Sequence, residues 1–197
     1  AFHRRYGYLT ACPTNVGTGL RVSVMLHLPA LKLSGQIEKL FHAVRDMRLM
    51  MRGLYGEGTE ATGDFYQISN QTTLGKTEKQ IVQEFRDDII PHFIEYERRA
   101  RQSLARRQSV ELDDKMQRAR AVLRAARVIG SGESTYLLSL VRLGVNLGRL
   151  DDISNRTVNE LFLLTQPAHL QKINDGCMEP GERAQARAAF LRDRLGG

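Results

Sequence analysis

From position 20 to 28 apolar and polar side chains alternate without a break, with Leu20, Val22, Val24, Leu26 and Leu28 in one set and Arg21, Ser23, Met25 and His27 in the other. A period of two is the repeat of a β-strand, so one set faces a core and the other an open working face. Arg21 therefore projects away from the core, where its planar fork suits phosphate oxygens. Just before this strand stands Cys12-Pro13-Thr14-Asn15-Val16-Gly17-Thr18-Gly19. Pro13 to Asn15 predicts a turn, because proline fixes φ and asparagine tolerates turn conformations. Gly17 and Gly19 would let the backbone approach a ligand closely. A thiol, a rigid turn and a glycine-rich crossing beside an arginine suit a site where anionic phosphate meets a nucleophile.

A second stretch, Arg52-Gly53-Leu54-Tyr55-Gly56-Glu57-Gly58-Thr59-Glu60-Ala61, is a glycine-rich loop with one arginine and two carboxylates. It follows a strand expected over 48–55, on which Met50 and Arg52 share a side, so Arg52 can face the same ligand as Arg21. Residues 6–11 predict a short strand beside 20–28, and residues 64–71 another. Pro29 stops the second strand, and Ser34 is expected to cap a helix with Ile37, Leu40, Phe41 and Val44 on one face. After a cap at Thr77, Ile81, Phe85, Ile89 and Phe93 recur at strict four-residue spacing, a stripe suited to packing on a sheet. Pro91 lies inside that stripe and predicts a kink or break near Ile90.

From about Arg98 onward aromatics become sparse, arginine and alanine dense, and no strand pattern returns. Four helices are expected there: 110–128 burying Met116, Ala119, Leu123 and Ala126; one after Ser131-Gly132 with Leu137, Leu140, Val141 and Leu147; one from Asp152–Asn155 through Leu164, ended or kinked by Pro167; and a last one after Pro180 with Ala184, Ala188, Leu191 and Leu195. The fold class is thus α+β, an antiparallel sheet flanked by helices over residues 1–100, followed by an all-α bundle over 101–197.

The Cys12–Thr18 stretch resembles the signature of the phosphagen (guanidino) kinases, and Arg52–Ala61 is similar to their substrate-loop motif. Tyr6-Gly7-Tyr8-Leu9-Thr10-Ala11-Cys12, Gly56-Glu57-Gly58 and Gln67-Ile68-Ser69-Asn70 look more like the protein arginine kinase branch than the metabolic one. The resemblance covers the whole chain but only the C-terminal part of the family's length, so the remaining phosphate-binding arginines and the other catalytic carboxylate would lie elsewhere, and residues 1–197 alone are expected to be inactive. It implies ATP with Mg²⁺ as cofactors, Cys12 as the reactive cysteine beside the guanidino group, and Glu57 as the substrate-binding glutamate. Arg21 and Arg52, with Asn15, Gly17 and Thr18, would then meet the nucleotide, and Gly56, Gly58, Thr59 and Glu60 would form the substrate loop. The implied reaction is γ-phosphoryl transfer to arginine side chains of proteins, marking them for degradation in a bacterial stress response. Implied partners are the McsA activator, the CtsR repressor and the ClpC unfoldase. The alternatives are a phosphagen kinase acting on free arginine or another small guanidine, and a non-catalytic fragment that binds phosphoarginine or a partner.

Each residue also has a plainer reading. Glu57 alone would be a solvated loop acid, a lone cysteine is most often a small buried hydrophobe, and a random arginine a surface ion pair. Cys177, without motif context, reads as structural. Where metabolic members have a histidine four residues after the first arginine this chain has Met25, and Gln67 stands where an aspartate is expected. Arg183 and Arg187, four apart and so on one helix face, resemble a phosphoarginine-binding motif whose aspartate is replaced by Ala184.

The net charge of +7 invites a nucleic-acid reading. Basic residues are interleaved with Asp and Glu through the helical half, however, as in Glu95-Tyr96-Glu97-Arg98-Arg99, and no reader motif is present, so solvated helix faces explain them and nucleic acid is not expected as a partner. Two cysteines far apart predict no disulfide framework. His27, His42, His92 and His169 have no ligand spacing, so no metal site on the protein is expected. No apolar run of spanning length and no signal-peptide pattern occurs, which predicts a cytoplasmic protein that does not enter membranes. The apolar stripes of the short helical half predict a homodimer.

Overall fold

The alternating segment forms strand β3, Ser23–His27, in a computed structural model that describes residues 1–54 and 61–196. It lies in a three-stranded antiparallel sheet, in which β5 (Phe65–Asn70) is central and β3 and β4 (Leu49–Gly53) flank it. The register pairs Met25 with Gln67 and Gln67 with Arg52, and pairs Ser23 with Ser69 and Ser69 with Met50. Directly opposed residues share a face, so Ser23, Met25, Gln67 and Arg52 stand on one side of the sheet. The other side carries Leu49, Met51, Tyr66 and Ile68, all buried. Helix α2 (Ile37–Asp46), which follows the short helix α1 (Pro29–Leu33), covers that side with Ile37, Leu40, Phe41 and Val44, and the Phe41 ring meets Tyr66 edge-on at 5.9 Å. Burial pushes the Tyr66 phenol well above its ordinary range.

The structure corrects several local expectations. Strand β3 is shorter than 20–28, and His27, expected on the open face, is buried with its ring 4.8 Å from Phe65. Residues 6–11 do not join the main sheet. Instead β1 (Phe2–His3) pairs with β2 (Gly7–Tyr8), and Tyr8 bridges to Gly17. Pro29 does more than stop a strand, because it opens α1, where its missing N–H costs nothing. Ser34 caps the C-terminus of α1, its hydroxyl donating to the Leu31 carbonyl at 3.3 Å, and α2 starts without a side-chain cap.

Thr77 does cap its helix. Its hydroxyl accepts from Gln80 N–H at 3.2 Å while the Gln80 amide oxygen accepts from Thr77 N–H at 2.8 Å, a reciprocal box that starts α3 (Glu78–Gln83). The chain then widens into a π-helical turn, Glu84–Ile89, and runs on as α4 (Ile90–Arg107), so Pro91 neither kinks nor breaks it. The cause is geometric. In an α-helix of about 3.6 residues per turn, residues four apart drift by about 40° per step. The wider turn absorbs that drift and moves the carbonyl that the proline ring would otherwise strike. Ile81, Phe85, Ile89 and Phe93 consequently all stay buried. Further along α4 the buried Glu97 carboxylate accepts from the N–H groups of Ala30 and Leu31, each at 3.1 Å, and from Arg101 Nε at 2.7 Å. Burial raises its pKa, against the lowering pull of Arg101.

The chain divides into two compact units, Ala1–Ser103 and Leu104–Gly197. In the second, α5 (Ser109–Ala125) packs on α6 (Ser131–Asn146) and on α9 (Pro180–Leu195), and α7 (Asn155–Leu164) packs on α6. Met116, Ala119 and Leu123 of α5 are buried as expected. In α6 the fully buried leucines are Leu138 and Leu143 rather than Leu137 and Leu147, because neighbours on two sides bury more than one stripe. A Cβ on Gly144 would fall 2.8 Å from a Leu150 methyl, so glycine permits close packing there. Pro167 opens a further helix, α8 (Pro167–Ile173), that the expected set of four lacked. Among the described residues no helix is long and apolar enough to cross a membrane.

Candidate active site

The Cys12 turn is a single 3₁₀ turn, Pro13–Asn15, closed by Asn15 N–H to the Cys12 carbonyl at 3.0 Å. Cys12 is exposed, and its Sγ lies 3.0 Å from the Thr14 hydroxyl. The thiol is held below its ordinary range, chiefly by that hydrogen bond, then by the Thr14 backbone N–H, with slight desolvation opposing and the Arg21 charge contributing least. The lowering expected from neighbouring arginines thus comes mainly from a hydroxyl two residues away.

Behind the turn the chain packs on itself. Tyr8 N–H donates to the Gly17 carbonyl at 2.7 Å, and Thr18 N–H to the Thr73 carbonyl at 3.2 Å. At Gly17, with φ of +114°, a Cβ would lie 2.4 Å from the Thr73 carbonyl oxygen. Its glycine is required by the approach of the chain's own backbone, not by a ligand. Thr18 Oγ1 accepts from Leu20 N–H at 3.2 Å and leads the chain to Arg21.

Arg21 precedes Ser23 by two residues, in phase with the open face of β3, and Arg52 stands on that face of β4 opposite Gln67. Gln67 donates to the Ser23 hydroxyl at 2.9 Å. Arg21 and Arg52 are both exposed, and neither forms an ion pair among the described residues. Ser23, Met25, Gln67, Ser69 and Met50 add no carboxylate to this face. Unneutralised guanidiniums without nearby acids suit phosphate oxygens. A divalent ion would be held there by the phosphates rather than by these side chains.

Two residues that sequence reasoning did not place in the site hold its parts. The Asn70 side chain spans Arg21, its Oδ1 accepting from Val22 N–H at 2.8 Å and its Nδ2 donating to the Leu20 carbonyl at 3.0 Å. The Thr73 hydroxyl lies 3.1 Å from the Thr14 carbonyl and 2.7 Å from that of Val16. Both contacts join segments about fifty residues apart, and no local pattern signals them.

The family model of the ATP:guanido phosphotransferase C-terminal catalytic domain matches residues 1–100. The chain belongs to the ATP:guanido phosphotransferase family. A second model, the protein-arginine kinase McsB C-terminal domain, matches residues 109–197. The protein-arginine kinase of Bacillus subtilis strain 168 is 48% identical over 195 residues, covering 99% of this chain and 53% of the relative. Those of Geobacillus kaustophilus strain HTA426 and Geobacillus stearothermophilus are each 50% identical with the same coverage. The chain therefore spans about half the length of these curated relatives.

Within this family's substrate loop, Gly56, Glu57, Gly58, Thr59 and Glu60 lie outside the described residues, whereas Cys12, Asn15, Gly17, Thr18, Arg21 and Arg52 are placed by one sheet and the turn before it. Arg183 and Arg187 belong to the other unit, and there the expectation of two free guanidiniums sharing one phosphate is corrected. Arg187 is only 3% exposed and donates to the carbonyls of Thr165 at 2.9 Å and Ile129 at 3.0 Å. Arg183 is turned to the Met178 carbonyl. Burial and the neighbouring Arg183 charge lower the Arg187 pKa. Cys177, taken as structural, is exposed in the loop between α8 and α9.

Proposed function

We propose that the full-length protein carrying this chain is a protein-arginine kinase, transferring the γ-phosphoryl group of ATP to arginine side chains of proteins. The observation that carries this reading is the near-half identity to protein-arginine kinases over 99% of the chain, helical unit included. In the reaction a guanidine nitrogen attacks the γ-phosphorus, an N–P bond forms, the bond to the ADP oxygen breaks with its electron pair, and the guanidinium gives up a proton. That cation is a poor nucleophile, so a site must orient it and accept the proton, the role assigned to Glu57. The Cys12 thiolate would stand beside the guanidinium, and Arg21 and Arg52 would hold phosphate oxygens as charge develops. Mg²⁺, when bound, would offset charge between the phosphates. The products would be marked for proteolysis, and McsA, CtsR and ClpC belong with this reading as partners through the family likeness.

Incubating the full-length protein with ATP and either casein or free arginine tests it. Acid-labile phosphate is expected on casein and not on free arginine; the reverse would make the protein a small-guanidine kinase, and no transfer at all would remove the reading.

Homodimerisation through residues 104–197 belongs to the same proposal. Between α5 and α6 runs a groove lined by Val110, Ala119, Val122, Tyr136, Leu137 and Leu140, with Val110 78% exposed. Sedimentation is expected to give a dimer at micromolar concentration, shifted toward monomer by Val122→Glu. A monomer at high concentration would refute the dimer.

A further inference from the structure

The segment that leaves β5 carries two polar side chains, three residues apart, whose hydrogen bonds go to both halves of the candidate site. Asn70 is 7% exposed, and its amide is used in full. Its oxygen takes the N–H of Val22, its nitrogen serves the carbonyls of Leu20 and of Thr72 at 3.3 Å, and its own backbone N–H donates to the Val22 carbonyl at 3.2 Å. Arg21 sits between the two residues so held. An asparagine side chain there completes the ladder that β3 itself has not yet begun, because β3 starts only at Ser23. Without it the peptides on either side of Arg21 would have no fixed partner, and the long arginine side chain would swing from a loose hinge.

Thr73, 3% exposed, does the corresponding work for the Cys12 turn. Its hydroxyl reaches the Thr14 and Val16 carbonyls and its own carbonyl takes Thr18 N–H, so the 3₁₀ turn is held from behind along its length. Thr14 supplies the hydroxyl that meets Cys12 Sγ. A shift of the turn would therefore be felt at the thiol.

We propose that Asn70 and Thr73 are positioning residues for the kinase reaction, Asn70 aiming Arg21 at the nucleotide phosphates and Thr73 holding the Cys12 turn. The inference rests on the reading of Arg21 as a phosphate-binding residue. Fixed geometry is where binding groups gain most, since a small misplacement of a positioned group loses a large part of its effect.

The test uses the full-length enzyme with ATP and casein, with melting temperature recorded for every variant. Asn70→Ala is expected to raise KM for ATP about tenfold or more, leaving KM for casein unchanged. Asn70→Asp keeps the acceptor for Val22 N–H but not the donor to Leu20, and its rise in KM should be smaller. If Asn70→Ala does not fold, the Asp variant decides alone. In a Cys177→Ser background, Thr73→Val should slow alkylation of Cys12 at neutral pH several-fold and Thr73→Ser should restore it. An unchanged KM for ATP in the Asn70 variants, a fall in kcat that tracks melting temperature alone, or Cys12 alkylation indifferent to Thr73 would overturn the proposal. Arg21→Ala separates the two levels of the argument. If it leaves KM for ATP unchanged, the phosphate reading of Arg21 fails; if it raises KM while Asn70→Ala does not, only the positioning role fails.

Discussion

Cys12→Ala in the full-length enzyme is expected to lower kcat by about 10²-fold or more, the scale seen when one preorganised charge or donor is taken from a reacting site, with little change in melting temperature. The side chain is exposed and its hydrogen-bonding partner Thr14 lies in the same turn, so removal leaves no cavity. Its pH dependence follows from the sign of the shift. Because the thiol pKa is lowered, the thiolate persists further down in pH than for a free cysteine, and activity should fall only as pH drops through the lowered value. Thr14→Val removes the largest cause of that lowering and should move the fall upward in pH. A near-normal rate for Cys12→Ala at unchanged melting temperature would defeat its assignment, and an unmoved profile for Thr14→Val would defeat the account of its pKa.

Arg187→Ala is expected to cost the helical unit roughly 3 kcal/mol, since it strands buried carbonyls that a charged donor now satisfies. The Thr165 carbonyl lies at the end of α7 and the Ile129 carbonyl just before α6, so one side chain of α9 ties down both. In a unit of this size that loss corresponds to a fall in melting temperature of more than about 10 °C. Arg187→Lys retains the charge but not the planar fork, and an intermediate fall should follow. Thermal unfolding of residues 104–197 within the full-length protein checks it; a shift within the scatter of ordinary surface substitutions would show that the buried contacts contribute little.

What could be read from the sequence was what local periodicity encodes. Alternation placed β3, β4 and β5 and put Arg21 and Arg52 on the working face, because a strand leaves a period of two whatever it packs against. The Thr77 cap and the final helix after Pro180 were equally legible. Short helices led by proline, α1 and α8, were not, since so few residues carry no stripe and proline was read as a stop. The phase of α6 was misjudged because burial on two sides erases the single stripe. Arg187 was read as an exposed cation because a sequence shows a charge but not the backbone carbonyls that surround it. Asn70 and Thr73 escaped for a related reason: their acceptors and donors are main-chain groups about fifty residues away, which any residue could supply. The family motifs named Cys12, Arg21 and Arg52 without the geometry that supports them.

The widened turn at Glu84–Ile89 makes residue count, and not only residue identity, a carrier of structural information. Deleting one residue there would restore ordinary winding and rotate everything downstream by about 100°. Phe93 would leave the core, and Glu97 would swing away from the Ala30 and Leu31 N–H groups it now receives. An inserted residue would rotate the same groups the opposite way. Solvent-facing positions such as Arg86 and Asp87 are free to drift as lineages diverge, but a gap opened between them would not be neutral. Alignments across this stretch should therefore be built ungapped even where identity has decayed.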